Sequence, residues 1–155
     1  KEIQKQGFTI SEENIKKGLM SVIKNTSLLG RWQILQNEPL IICDSAHNED
    51  GIKEVVKQLS KIDYKELHFI LGTVNDKKID KILSLLPEKA KYYFCQANIP
   101  RSLEKEKLQS KSEKYGLLGE VYNSVPQALQ TAKKNAEKED CIFVGGSTFV
   151  VAEII

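Results

Sequence analysis

The sequence is poor in cysteine, in net charge and in long apolar runs, and each shortage excludes a class of protein. Its three cysteines, Cys43, Cys95 and Cys141, are far apart and form no CxxC pair, which excludes a zinc site of clustered cysteines. We expect buried, reduced thiols in a cytoplasmic protein. The net charge is only +2, and no basic block is interleaved with aromatic residues, so we expect no nucleic-acid partner. No apolar run approaches the ~20 residues that span a bilayer, so we expect no membrane partner.

What the sequence does contain is typical of one soluble globular domain. The chain has 155 residues, of which 28% are charged and 41% hydrophobic. It begins at Lys1 rather than at an initiator Met, and we therefore expect a piece of a longer protein.

Short apolar runs alternate with segments of helical periodicity along most of the chain. The first two strand-like runs are separated by a turn signal and predict a hairpin. The later alternation predicts an α/β fold, a Rossmann-like, mostly parallel sheet with helices on both faces and one antiparallel edge strand. The predicted strands are 31–35, 40–43, 67–72, 91–96, 119–124 and 141–147, and the predicted helices are 11–25, 51–61, 79–86, 102–116, 124–140 and 148–155.

Polar residues at four positions mark the expected starts of helices. Ser11, Ser102 and Ser124 each precede a helical pattern, and Asn48 or Asp50 precedes another.

Three predicted strands end in unusual polar segments. The run that ends at Cys43 is followed by Asp44-Ser45-Ala46-His47-Asn48, the run to Leu71 by a glycine and then 73–77, and the run to Val144 by 145–148. Parallel strands place their carboxyl ends along one edge of the sheet, where ligands bind in such folds. The sequence therefore predicts that these segments converge on one edge.

Two candidate residues lie in the first of these segments. A carboxylate at the position of Asp44 can accept paired hydrogen bonds from ribose hydroxyls, although an aspartate there also commonly caps a turn. His47 is either a ligand contact or proton carrier, or a structural residue. The second histidine, His68, lies within an apolar strand pattern, and we expect it in the core.

The remaining candidates are basic residues and a glycine-serine segment. Lys77 suits an anionic substrate at the sheet edge, or else belongs to a solvated helix start. Arg31 follows Gly30, and a guanidinium suits phosphate because its planar fork donates two parallel hydrogen bonds; the alternative is a plain surface arginine. The segment of Ser147 and Thr148 after two glycines can bind an anion through backbone N–H groups, and carboxylate suits it as well as phosphate.

Taken in order, the segments GRWQIL, PLIICDSAHNEDGI, HFILGTVNDKKI and GGSTFVVAEI resemble the C-terminal domain of folylpolyglutamate synthase/dihydrofolate synthase, in the Mur ligase superfamily. The resemblance spans about Gly18 to Ile155. It implies residues 1–28 as linker and first helix, and 29–155 as a Mur ligase-type C-terminal domain that closes over an N-terminal ATPase domain.

The resemblance also implies an activity and roles for individual residues. The family uses ATP and Mg²⁺ to add L-glutamate to folate or dihydropteroate through an acyl phosphate. By resemblance, Arg31 contacts ATP phosphates and Asp44 the ribose side of ATP. His47, Ser147 and, more weakly, Lys77 contact the incoming glutamate.

The sequence departs from the family pattern at Leu29 and Glu49, where the family has proline, which changes backbone stiffness rather than chemistry. The family's phosphate loop and Mg²⁺ ligands belong to the N-terminal domain, so we expect no ligase activity from this chain alone. A non-catalytic Rossmann-like nucleotide-binding or interaction module stays open as the alternative. A hydrolase that uses Asp44 and His47 lacks a nucleophile in a GxSxG elbow.

Overall fold

The computed structural model describes residues 2–75 and 79–155. The helices are α1 (Glu2–Lys5), α2 (Glu12–Met20), α3 (Val22–Thr26), α4 (Glu49–Leu59), α5 (Ile79–Leu83), α6 (Lys105–Glu113), α7 (Val125–Asn135) and α8 (Thr148–Ala152). The strands are β1 (Gln33–Asn37), β2 (Leu40–Asp44), β3 (Leu67–Leu71), β4 (Lys91–Phe94), β5 (Gly119–Val121) and β6 (Cys141–Gly145).

The six strands form one sheet in the order β1-β2-β6-β3-β4-β5. Strands β1 and β2 pair antiparallel, as the turn signal predicted, and every other pair is parallel. The predicted α/β class with an antiparallel edge strand is confirmed. Strand β6 lies between β2 and β3, so the last strand in sequence is central in space.

Helices cover both faces of the sheet because the inner strands are apolar on both sides. The first face carries α4, α5 and α6, with Ile52, Ile82 and Leu108 packed in its core. The second face carries α7 and α8, through residues such as Ala128 and Val150. Each fully buried aliphatic side chain of this kind contributes roughly 1.5–3 kcal/mol to folding.

The expected helix caps are confirmed at three of four places. The hydroxyl of Ser11 accepts from the Asn14 amide at 3.1 Å, and the α4 and α7 amino ends are capped in the same way by Asn48 and Ser124. The prediction for Ser102 was wrong: its hydroxyl donates to the Ala97 carbonyl at 2.7 Å, and α6 begins only after Glu104.

The amino-terminal helices stand apart from this core. The predicted helix 11–25 is interrupted at Ser21, which ends α2 and precedes α3, and no residue of α1, α2 or α3 is buried. Their large apolar side chains lie open to solvent, with Leu19 70% and Met20 89% exposed. The regular spacing of Ile15, Leu19 and Ile23 therefore marks an apolar side that joins neither core cluster of the described residues.

The residues expected in the core are there. Cys43, Cys95 and Cys141 are buried free thiols, and His68 is completely buried in β3. None of the helices in the described part of the chain is long and apolar enough to cross a membrane.

Candidate functional site

The polar segments that follow β2 and β6 meet at the carboxyl edge of the sheet. Asp44 is the pairing partner of Gly145 on β6, and Leu71 of β3 pairs with the same glycine from the other side. Ser147 follows two residues later. The predicted convergence of these three strand ends is therefore present in the structure.

The Asp44 carboxylate is buried and hydrogen-bonded to the backbone through both oxygens. Its Oδ2 accepts from the Trp32 amide at 2.7 Å, and its Oδ1 accepts from the Ala46 amide at 2.8 Å. The side chain is only 8% exposed. Asp44 thus caps the turn after β2 and also anchors the segment that leads into β1. Turn capping, the alternative that the sequence left open for this aspartate, is therefore a role that it has among the described residues.

Arg31 lies in that anchored segment. The Gly30 carbonyl accepts from the Ser45 amide at 2.8 Å, and the Gly30 amide donates to Oε1 of Gln33 at 2.8 Å. Gly30 has φ +69°, and a Cβ there would lie 2.9 Å from Cγ1 of Val151, so the position requires glycine. The backbone on either side of Arg31 is therefore fixed beside the end of β2.

The Arg31 side chain itself is exposed and forms no ion pair with any residue in 2–75 or 79–155. A guanidinium on a fixed backbone with its donors free can bind a phosphate through two parallel hydrogen bonds.

His47 is exposed, and one of its ring nitrogens is already used. Nδ1 lies 2.9 Å from the Ser45 carbonyl, which can only accept, so Nδ1 carries the proton. In the neutral ring Nε2 then has a free lone pair, and in the charged ring Nε2 donates. Either form can meet a polar ligand at this edge.

Ser147 is buried and caps α8. Its hydroxyl oxygen accepts from the Phe149 amide at 3.2 Å, and its own proton has no acceptor within the described residues. Gly146 makes the turn before it, with φ +91°, and a Cβ there would lie 2.8 Å from the Gly72 carbonyl. The ends of β6 and β3 therefore touch through backbone, which brings Ser147 against the β3 segment.

Sequence reasoning missed Thr73 in that β3 segment. Thr73 is 5% exposed, and its Oγ1 is buried with no hydrogen-bond partner in the described structure. The sequence marked the polar segment 73–77 that contains this threonine, but it gave no reason to choose Thr73 within it. Lys77, the fifth predicted site residue, lies outside the described residues, and its role stays a prediction.

A cysteine adjoins the site without adding reactivity. Cys43 precedes Asp44, and burial, followed by the neighbouring Asp44 charge, raises the pKa of its thiol to about 11. The thiolate is the reactive form, so Cys43 is inert at neutral pH.

The one group of three metal-type ligands among the described residues is at the opposite edge of the sheet. Glu66, His68 and Asp140 lie at the amino ends of β3 and β6, with their ligand atoms within 4.8 Å of one another. His68 contacts Tyr93 at 2.8 Å and Asp140 at 3.3 Å, so it is a hydrogen-bonded core histidine. Burial alone would raise the pKa of Asp140, but the Glu137 amide and His68 outweigh it, and the pKa is lowered.

Comparison with known proteins identifies relatives of this chain. The family described as Mur ligase, glutamate ligase domain, matches residues 30–148. A probable bifunctional folylpolyglutamate synthase/dihydropteroate synthase from Haloferax volcanii is 36% identical over 93% of this chain, which corresponds to 17% of that protein. A dihydrofolate synthase/folylpolyglutamate synthase from Buchnera aphidicola is 32% identical over 93% of this chain and 34% of its own length.

Solved structures agree with these relatives. E. coli FolC in complex with DHPP and ADP has a TM-score of 0.84 and 28% identity, covering 98% of this chain and 35% of that one. The chain thus spans about a third of that structure and still less of the first relative.

Proposed function

This chain belongs to the Mur ligase family, glutamate ligase domain, and from that premise we propose that it is the C-terminal domain of an ATP-dependent ligase that adds L-glutamate to folate or dihydropteroate. The relatives carry the names of folate-linked synthases, and the E. coli neighbour was solved with ADP. These names support the proposal for the longer protein of which this domain is a part.

In the proposed reaction, ATP transfers its γ-phosphoryl group to the substrate carboxylate, which gives an acyl phosphate and ADP. The amine of L-glutamate then attacks the acyl carbon, an amide bond forms, and inorganic phosphate leaves. The protein's part is to position the reactants and to neutralise charge.

One observation carries the assignment of the site to this domain. Asp44 and Ser147 follow neighbouring strands, and Asp44 and Ser45 together hold the segment that presents Arg31. Counting partners in 2–75 and 79–155 only, the Arg31 guanidinium, one His47 nitrogen and the Ser147 hydroxyl proton are free at one edge. This set suits a ligand with phosphate and carboxylate groups.

The proposed roles follow from which atoms are free. Arg31 contacts the ATP phosphates, and Asp44 faces the ribose with the lone pairs that its two backbone hydrogen bonds leave. His47 presents Nε2 to the glutamate, and Ser147 donates its hydroxyl proton to the glutamate carboxylate. Lys77 contacts the same carboxylate in this proposal.

The metal that accompanies ATP is proposed to be Mg²⁺ held by the N-terminal domain. Asp44 alone does not make a metal site, because it supplies a single carboxylate and each of its oxygens already accepts a backbone N–H. The Glu66–His68–Asp140 group does not fit either, because it lies at the edge away from the site.

The exposed apolar side of α2 and α3 supports the proposal that these helices pack on another domain of the same polypeptide. The family match begins at residue 30, so these helices precede the matched domain. Solvent-exposed side chains such as Leu19, Met20 and Ile23 are costly to leave in water unless something covers them. We propose that residues 1–28 pack on the N-terminal ATPase domain and that 29–155 form the C-terminal domain.

The test uses two proteins: this chain alone, and the same chain joined to its ATPase domain. The measurement is the ATP-dependent incorporation of labelled glutamate into dihydropteroate or folate. We expect turnover only from the joined protein, because the chain lacks the phosphate loop. In the joined protein, Arg31→Ala should lower the rate more than tenfold, or ~1.4 kcal/mol in barrier, while Arg101→Ala serves as the arginine control. Turnover by the 155-residue chain alone, or an Arg31→Ala rate within tenfold of wild type, would contradict the proposal.

A further inference from the structure

A second crevice opens at the carboxyl edge of the sheet, between the ends of β4 and β5. After β4 the chain runs to α6 on the first face, and after β5 it runs to α7 on the second face. The two loops therefore diverge. In open α/β sheets, ligands bind in the crevice where neighbouring strands send their connections to opposite faces.

The crevice has the size and lining of a small-molecule site. Its cavity is about 800 Å³, within the range of ligand pockets. Phe149, Ile99 and Pro126 give apolar walls, and the amides of Gln96 and Asn123 add hydrogen-bonding groups. Amide side chains both donate and accept, so they match the alternating ring nitrogens and carbonyls of a heterocycle.

Two contacts hold the walls in place. The guanidinium carbon of Arg101 lies 4.7 Å from the centroid of the Phe149 ring, which fixes that ring by a cation–π contact. On the other side, Oε1 of Glu153 accepts from the Asn98 amide at 2.6 Å. The lining is thus preformed around the cavity.

The charge of the lining selects among ligands. Glu153 is the only charged residue that lines the cavity within the described chain. The α7 amino end offers an anion few donors, because Pro126 has no N–H, Ser124 caps the Gln127 amide, and the Gln127 side chain accepts from the Asn123 amide. A phosphate or polyglutamate group is therefore disfavoured here.

We propose that this crevice binds an uncharged planar nitrogen heterocycle of the purine or pterin class, with one face on Phe149 and its edge on the amide side chains. The crevice lies at the same carboxyl edge as Asp44 and Ser147, but neither of those residues belongs to its lining. The inference goes beyond the proposed ligase role and does not depend on it.

The test is a titration of the ¹⁵N-labelled 155-residue chain with adenosine and, separately, with 6-hydroxymethylpterin. We expect saturable shifts of the Asn98 and Ser124 amides with at least one probe, and the probe that shifts them identifies the ring class. Ala152→Trp fills the cavity from α8 and should weaken binding at least tenfold. Lys134→Trp, on the exposed side of α7, should leave it unchanged.

The outcomes separate this inference from the ligase proposal. Shifts confined to Asp44 and Ser45, shifts that persist in Ala152→Trp, or no shift at all would each overturn the crevice site and leave the ligase site untouched. If Ala152→Trp does not fold, the Gln96→Ala/Asn123→Ala double variant, checked by circular dichroism, provides the same comparison. Full binding by that folded variant would likewise overturn the proposal.

Discussion

The hydrogen bonds of Asp44 predict that one isosteric change loosens the segment that presents Arg31. In Asp44→Asn, an NH₂ group replaces one carboxylate oxygen and faces a backbone N–H. Hydrogen bonds to a charged acceptor contribute about 1.5–3 kcal/mol each. One of the two is lost, and the other weakens, while removal of a buried charge gives some free energy back. We expect the free energy of unfolding to fall by about 2 kcal/mol, or roughly 4–8 °C in melting temperature for a domain of this size.

The single tryptophan of the chain makes this measurable at the segment itself. Trp32 donates its amide to Asp44, and its ring lies 6.4 Å from that of Phe143. In the folded Asp44→Asn protein, Trp32 emission should shift to longer wavelength and be quenched more by acrylamide. The reason is that the segment containing Trp32 loses its hydrogen bond to the end of β2. Urea titration gives the loss of stability in the same samples.

The matched control is Asp63→Asn, a change of the same chemistry at an exposed loop residue. Surface substitutions of this kind usually alter stability by less than about 0.5 kcal/mol. If Asp44→Asn and Asp63→Asn give the same unfolding midpoint and the same tryptophan emission, the anchoring role of Asp44 is refuted.

Three further predictions follow from the other polar contacts. Ser147→Ala and Ser124→Ala each remove one helix cap and should each cost about 0.5–2 kcal/mol, but in the joined enzyme only Ser147→Ala should raise the KM for glutamate; equal KM values would contradict the proposed contact. Asp140 has a lowered pKa, so its charge stabilises the fold fully above its unfolded pKa of about 3.8, and this contribution is lost as the pH falls from there through the lower pKa of the folded state. The difference in stability between wild type and Asp140→Asn in urea should therefore shrink over that range, and a difference that stays constant would contradict the role of this charge. Burial raises the pKa of all three thiols, so a disulfide reagent should label them at the rate of global unfolding, and fast labelling of the native chain at neutral pH would show otherwise.

Local features of the fold were predictable because they depend on neighbours in sequence. Alternating apolar runs located the strands, and the caps at Ser11, Asn48 and Ser124 need only a side chain three residues before an amide. The prediction for Ser102 failed because 102–103 are held by the neighbouring loops: the Ser102 hydroxyl donates to the Ala97 carbonyl, the Leu103 amide donates to the Thr73 carbonyl, and α6 begins only after Glu104.

The site was predictable in position but not in detail. Parallel strands alone place Asp44 and Ser147 at one edge. The contact between Asp44 and Trp32 is not readable from the sequence, because it depends on how the hairpin packs at the sheet edge. The crevice between β4 and β5 was missed for a similar reason: its walls come from 96–99, 123–126 and α8, and only the strand order brings them together.

The place of β6 has a consequence for how the domain assembles. Strands β2 and β3 do not pair with each other; both pair with β6, which follows them in sequence. Until β6 inserts, the hairpin and the β3–β4–β5 unit are two half-sheets held only by the chain between them. Such late, non-local closure slows folding. It also means that Ser147 joins the hairpin residues Arg31 and Asp44 only in the step that unites the two halves, so a partly folded chain lacks the complete site.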